Sequence, residues 1–111
     1  MSFLNSRELQ QDATTTGLDA NNTASVTNGV DTSQADRAIF YVDANTGTNA
    51  AHVLEFQCSY DNTNWHSISG ANLTGIGYYA FDCKNFNYLR VKVKTAEGGV
   101  STVDVTIQTF G

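Results

Sequence analysis

The stretch Ser59, Asp61, Asn64 and Trp65 is the most distinctive chemical cluster in the sequence. Short polar side chains such as Ser and Asp close turns by bonding nearby backbone, and the tryptophan that follows offers a large flat ring with one polar edge. Two arrangements use these residue types. In one, Trp65 is exposed and stacks on a sugar or partner while Asp61, Asn62 and Asn64 hydrogen-bond to it. In the other, preferred here, the residues form a hairpin and Trp65 packs inside, because aromatic residues at strand ends more often serve a core.

Three further groups call for the same comparison. Asp43, Asn45 and Gly47 echo a calcium loop, but Gly47 comes one position early and the closing carboxylate is missing, so a plain turn is expected. Arg90, Lys92 and Lys94 alternate along one strand face, as a docking patch for an acidic partner would, or as a solvated face paired with Glu55 or Asp104. His52 and His66 are the only candidate bases. Neither accompanies a G-x-S-x-G elbow or a cysteine signature, so both are expected at the surface or rim and not as general bases. Glycine motifs that cradle phosphate are absent. Cys58 and Cys83 lack metal-site spacing and are too few for a disulfide scaffold, so both are expected free and buried. No catalytic residue, metal site or cofactor is expected.

The elements that must position these groups follow from size and alternation. A chain of 111 residues suits one core. Charged residues make up only 15%, and the polar surface comes from 14 Thr and 11 Asn, which favour strands and turns respectively. There is no proline, which leaves glycine and asparagine to make the tight turns. A net charge of −5 argues against nucleic-acid binding. The positive charge gathers late: residues 84–111 carry four basic and two acidic groups, against two and nine before them. No apolar stretch is long enough to span a membrane, and the opening MSFLNSRELQQ has no leader-like pattern, so synthesis in the cytoplasm is expected.

Residues 1–24 show no sustained period and read as an extended N-terminal arm, with Phe3, Leu4 and Leu9 as its apolar contacts. Residues 25–111 read as a folded domain. Ala24–Val30 is a strand run ending in the turn dipeptide Asn28-Gly29, and RAIFYVD over Arg37–Asp43 is strongly β-forming. In HVLEFQCSY, Leu54, Phe56 and Cys58 share one face and Glu55, Gln57 and Ser59 the other. A loop, DNTN, then returns the chain through Trp65–Ile68 as a hairpin. Short segments over Asn72–Thr74 and Gly77–Cys83 follow. The last two strands, YLRVKVKT and the alternating run through Val103, Val105 and Ile107, read as an antiparallel hairpin around the AEGG turn. The fold expected is an all-β antiparallel two-sheet sandwich of seven to eight strands, immunoglobulin-like or jelly-roll-like.

The order LEFQCSYDNTNWHSI, a glycine-containing turn, then NYLRVKVKTAEGGVSTVDVTI, spanning about residues 35–108, resembles the small β-sandwich virion structural proteins of tailed phages. That resemblance implies a non-enzymatic virion part: most simply a capsid decoration (cement) protein on the outer capsid surface that binds and stabilises the lattice. Its implied partners are the major capsid protein or other virion proteins and further copies of itself, a trimer being favoured, with neither nucleic acid nor membrane. The arm residues Phe3, Leu4 and Leu9 and the stripe Arg90, Lys92 and Lys94 would make the contacts. The S-x-D hairpin is also similar to discoidin-type carbohydrate-binding domains, although Asn62 stands where their pattern has glycine. That likeness implies the alternative, a glycan-binding or receptor-binding module of a tail fibre or neck, using Asp61, Asn62, Asn64 and Trp65.

Overall fold

The computed structural model describes residues 8–111. Eight strands follow in order: β1 (Leu9–Asp19), β2 (Val30–Asp31), β3 (Arg37–Thr46), β4 (Val53–Ser59), β5 (Trp65–Thr74), β6 (Gly77–Asp82), β7 (Tyr88–Thr95) and β8 (Thr102–Phe110). They form two four-stranded antiparallel sheets, ordered β1-β8-β3-β6 and β2-β7-β4-β5. Strands 1 and 8, 2 and 7, 3 and 6, and 4 and 5 are partners, the pairing of a chain folded in half and wrapped around a barrel-like core. This is the strand order of a jelly roll, and it selects that alternative over the immunoglobulin-like one.

The alternation in sequence places one face of each sheet inward. Ala38, Phe40 and Val42 of β3 and Val103, Val105 and Ile107 of β8 meet Leu54 and Phe56 of β4 and Leu89, Val91 and Val93 of β7, all buried. Phe40 and Phe56 join the layers edge to face, with ring centroids 4.2 Å apart. Tyr79 extends this aromatic group from Phe40, and Phe81 and Phe86 extend it from Phe56 towards one end of the sandwich.

Four features differ from the sequence expectations. The segment expected as an arm contains β1, which pairs with β8 from Leu9 to Asp19 and buries Leu18. Ala20 beyond it is also buried. Its apolar residues are sparse because an edge strand buries few side chains, and two register shifts break its period. Phe3 and Leu4 lie outside the described residues.

The Asn28-Gly29 pair makes no hairpin turn. Ser25, Thr27 and Val30 run along β7, with Thr27 N donating to Val91 O at 2.9 Å and Val93 N to Ser25 O at 3.0 Å. Glycine stands at position 29 for want of space: a methyl group there would sit 2.0 Å from Asn62 Oδ1 and 3.1 Å from Trp65 Cη2.

β7 and β8 are not a hairpin. They lie in opposite sheets, and their valines face one another across the core. Two strands that face across a core and two that pair within a sheet show the same period of two, so alternation alone does not separate them.

His52, expected at the surface, is fully buried. Its Nε2 lies 3.1 Å from Gly75 O and its Nδ1 3.1 Å from Glu97 Oε1, so polar partners across the loop end of the sandwich replace the water it gives up.

Candidate functional site

The β4–β5 hairpin is built by its own side chains. Ser59 Oγ accepts from Asp61 N at 3.2 Å and Asn62 N at 2.9 Å, and donates to Asp61 Oδ1 at 3.0 Å. Asp61 Oδ1 also accepts from Thr63 N at 2.9 Å and Asn64 N at 2.8 Å, while Oδ2 takes the Asn64 amide at 2.7 Å. The backbone N–H groups of Asn64 and Thr63 are the main causes that draw the Asp61 carboxyl down to about 2. Asn62 adopts φ 62°, a left-handed conformation that asparagine tolerates better than most residues. The position where the discoidin-type pattern has glycine thus keeps a glycine-like backbone. These are turn-closing roles, and they occupy the groups that a glycan would need on Asp61.

Trp65 is half-buried and lies on the outer face of its sheet, not inside the core. The Arg90 guanidinium sits 4.4 Å from its ring centroid, a cation–π contact. Arg90 Nε donates to Gln57 Oε1 at 2.7 Å, Gln57 Nε2 to Glu55 Oε2 at 3.3 Å, and Ser67 Oγ to the same Glu55 oxygen at 3.1 Å. Glu55, Gln57 and Ser59 are consequently buried on what the alternation marks as the wet face. Burial lowers the Arg90 pKa.

The basic stripe is therefore only partly available. Arg90 serves the network beneath Trp65, and Lys92 Nζ donates to the Thr23 and Val93 carbonyls. Lys94 is exposed. Asp104, a suggested partner for the stripe, belongs to the other sheet. There it accepts from Asn45 Nδ2 at 2.7 Å and Gly17 N at 2.9 Å, and the Asn45 bond is the largest cause that lowers its pKa. Leu9 is 47% exposed at the start of β1.

Asp43 faces Asp104 across β3 and β8, and Gly47 turns the chain at φ 88° against the Val100 and Ser101 backbone. Among the described residues no group of three acidic, histidine or cysteine side chains could hold a metal ion. Both cysteines are free. Cys83 is buried and Cys58 half-buried. Burial pushes the Cys58 thiol up, and with help from Asp82 and Asp36 pushes Cys83 up to about 11. Neither environment favours the thiolate that cysteine chemistry needs.

A recess of about 160 Å³ opens beside the hairpin, lined by Cys58, Ser59, Tyr60, His66, Asn85, Phe86 and Asn87. Three separate segments build it: the end of β4, the start of β5 where His66 pairs with Cys58, and the β6–β7 connection. Asn87 Nδ2 donates to Tyr60 O at 3.1 Å and ties the connection to the hairpin. Tyr60 is 65% exposed, and Asn85, Asn87 and His66 are exposed around it. Sequence reasoning missed Tyr60, Asn85, Phe86 and Asn87 as a group, since only the jelly-roll wrapping brings residue 60 beside residues 85–87.

No protein-family description matches the chain, and no curated protein sequence matches it significantly. Solved structures do. The SPBc2 prophage-derived protein YomS is similar over 91% of this chain and 94% of its own, at 11% identity and a TM-score of 0.63. The Yersinia pseudotuberculosis-derived mitogen (YPM) is similar over 91% of this chain and 86% of its own, at 13% identity and a TM-score of 0.54. The PBSX exported protein XepA is similar over 96% of this chain, which spans only 37% of XepA, at 18% identity and a TM-score of 0.52. At such identities the property that this chain shares with all three is its fold, an eight-strand, two-sheet β sandwich.

Proposed function

We propose that this chain is a non-enzymatic structural protein of a phage virion, acting as a decoration or cement protein that binds the capsid lattice from outside and stabilises it. The observation that carries the reading is the outer edge of β1. This strand is 11 residues long and ends its sheet, paired on one side only, to β8, among the described residues. Its central residues, Gln11 to Thr16, are mostly exposed and include no lysine, arginine or proline; one charge, Asp12, and the register shifts near the two ends are its only guards against pairing among the described residues. A neighbour's strand added here would gain a ladder of main-chain hydrogen bonds. On a repeating lattice such weak contacts sum to avidity.

Two further findings support the reading. A jelly-roll fold shared with a prophage-derived protein suits a virion part. Asp61, Glu97 and Asp104 each spend their oxygens on bonds within the fold, which fits a structural role better than catalysis. The proposed partners are the major capsid protein and further copies of this chain, with Leu9 and Lys94 as the expected contact residues that remain exposed.

The test uses virions that lack the protein, to which purified protein is added back. Wild type should rebind to a saturating copy number and raise the temperature at which capsids open. Thr14→Lys, which sets a charge on the exposed outer side of β1, should fold normally and lose most occupancy. Failure of wild type to rebind, or equal occupancy by the variant, refutes the docking edge.

The alternative is a glycan- or receptor-binding module of a tail fibre or neck. With Asp61 consumed by its turn and Trp65 capped by Arg90, that reading moves to the recess beside the hairpin.

A further inference from the structure

We propose that the recess bounded by Cys58, Tyr60, His66, Asn85, Phe86 and Asn87 is a binding site for a 2-acetamido sugar, one residue of a surface polysaccharide. The inference goes beyond capsid docking and does not depend on it.

The chemistry of the lining decides the ligand class. The recess holds about 160 Å³, below the range of roughly 300–1,000 Å³ typical of drug-sized ligands, so it suits one small group and not a cofactor. Its half-buried lining residues, Cys58 and Phe86, are a protonated thiol and an aromatic ring. Both are apolar surfaces on which a methyl group gains contact and a charged group would lose solvation. Around them stand polar groups with bonding capacity to spare. No internal hydrogen bond engages the Asn85 amide or the His66 ring among the described residues. Asn87 commits its amide donor to Tyr60 O and keeps its carbonyl oxygen open.

No lysine, arginine or carboxylate lines the recess, so the complement is neutral. It must combine a small apolar tip with an adjacent donor and acceptor. An acetamido group has that pattern: its methyl would meet Cys58 and Phe86, its N–H the open Asn87 oxygen, and its carbonyl the Asn85 amide or the His66 ring. Tyr60, exposed at the mouth, offers a face for the sugar ring. Plain hexoses carry no such methyl amide and leave the apolar residues uncovered.

The test is a titration of the full chain followed by ¹H–¹⁵N spectra, with N-acetylglucosamine and glucose as parallel probes up to about 100 mM, since a single sugar ring should bind in the millimolar range. N-acetylglucosamine should shift the side-chain amides of Asn85 and Asn87 and the backbone of Tyr60 and Phe86 with a saturable curve. Glucose should bind roughly fivefold or more weakly, the difference made by the acetamido contacts. Tyr60→Ala and Asn85→Ala alter exposed side chains, so their spectra should otherwise overlay on wild type, while the affinity for N-acetylglucosamine falls by roughly fivefold or more. Absence of saturable shifts at these residues, equal response to glucose, or unchanged binding by both variants overturns the assignment.

Discussion

The side chains of His52 and Glu97 meet at 3.1 Å with relative exposures of only 0% and 6%, and between them they close one end of the sandwich. Both atoms that face the imidazole, Gly75 O and Glu97 Oε1, are acceptors. Glu97 also accepts from the Thr48 hydroxyl and from the backbone N–H groups of Ala50, Ala51 and His52. The Thr48 bond, followed by the backbone bonds, holds its carboxyl down to about 2 against an ordinary value of 4.5. A depressed carboxyl stabilises the fold above its unfolded value, and that stability is lost as pH falls through the folded value. Melting temperature should therefore hold near neutrality and drop between about pH 4.5 and pH 2. Asp61, also drawn down to about 2, adds to the same window. Thermal melts followed by circular dichroism check this; Glu97→Gln should flatten the acid limb, and an unchanged melting temperature at pH 2.5 contradicts the account.

Truncating the imidazole should cost more than a surface change. His52→Ala opens a hole at a fully buried position and leaves Gly75 O without its side-chain partner, while Glu97 Oε1 keeps the backbone N–H groups of residues 51 and 52. Equilibrium urea denaturation should show a loss of about 2–4 kcal/mol.

The contact between Phe40 and Phe56 predicts a larger effect, since both rings are fully buried and each sheet contributes one. Phe56→Ala should cost about 3–5 kcal/mol by denaturant titration, with Phe56→Leu losing less than half of that.

Gly29→Ala should destabilise the fold by about 1–3 kcal/mol, because its methyl meets Asn62 and Trp65. Asn62→Gly keeps the left-handed backbone and removes the nearer obstacle. The double variant should recover part of the loss, which a double-mutant cycle measures as coupling energy. Additive losses would mean that the two positions do not press on each other.

Thr109 is fully buried, and its hydroxyl is the one buried side-chain oxygen without a hydrogen-bond partner among the described residues. Thr109→Val keeps the shape and removes the unpaired group, so it should raise stability by about 1 kcal/mol or more in the same denaturation assay.

Much of the fold is legible in the sequence where strands bury one face. RAIFYVD, LEFQC, LRVKV and the Val103–Ile107 run alternate cleanly, and each lies within an observed strand. Partnership is less legible: β7 and β8 carry hairpin-like patterns yet face each other across the core. β1 is hidden because an edge strand of Thr and Gln buries little, and Gly29 misleads because its small size answers to Trp65, 36 positions away. The hairpin Ser59–Trp65 is plain from its local turn chemistry. The recess is not, since Tyr60 and Asn85 meet only through the wrapping, and His52 is buried by a glutamate 45 residues on.

Glu8 and Gly111 exchange backbone hydrogen bonds, Gly111 N to Glu8 O at 2.8 Å and Glu8 N to Gly111 O at 3.3 Å. Asp36 and Cys83 are tied to the same end through Phe110 O and Asp36 O, which puts Glu8 and Gly111 together on the pole that carries the β6–β7 connection. Anything joined behind residue 111, whether a purification tag or a fused domain, would leave from that pole. The opposite pole, where Val100 projects with 90% of its surface in solvent, would stay unencumbered, so a fusion behind Gly111 crowds the recess and spares the His52 latch.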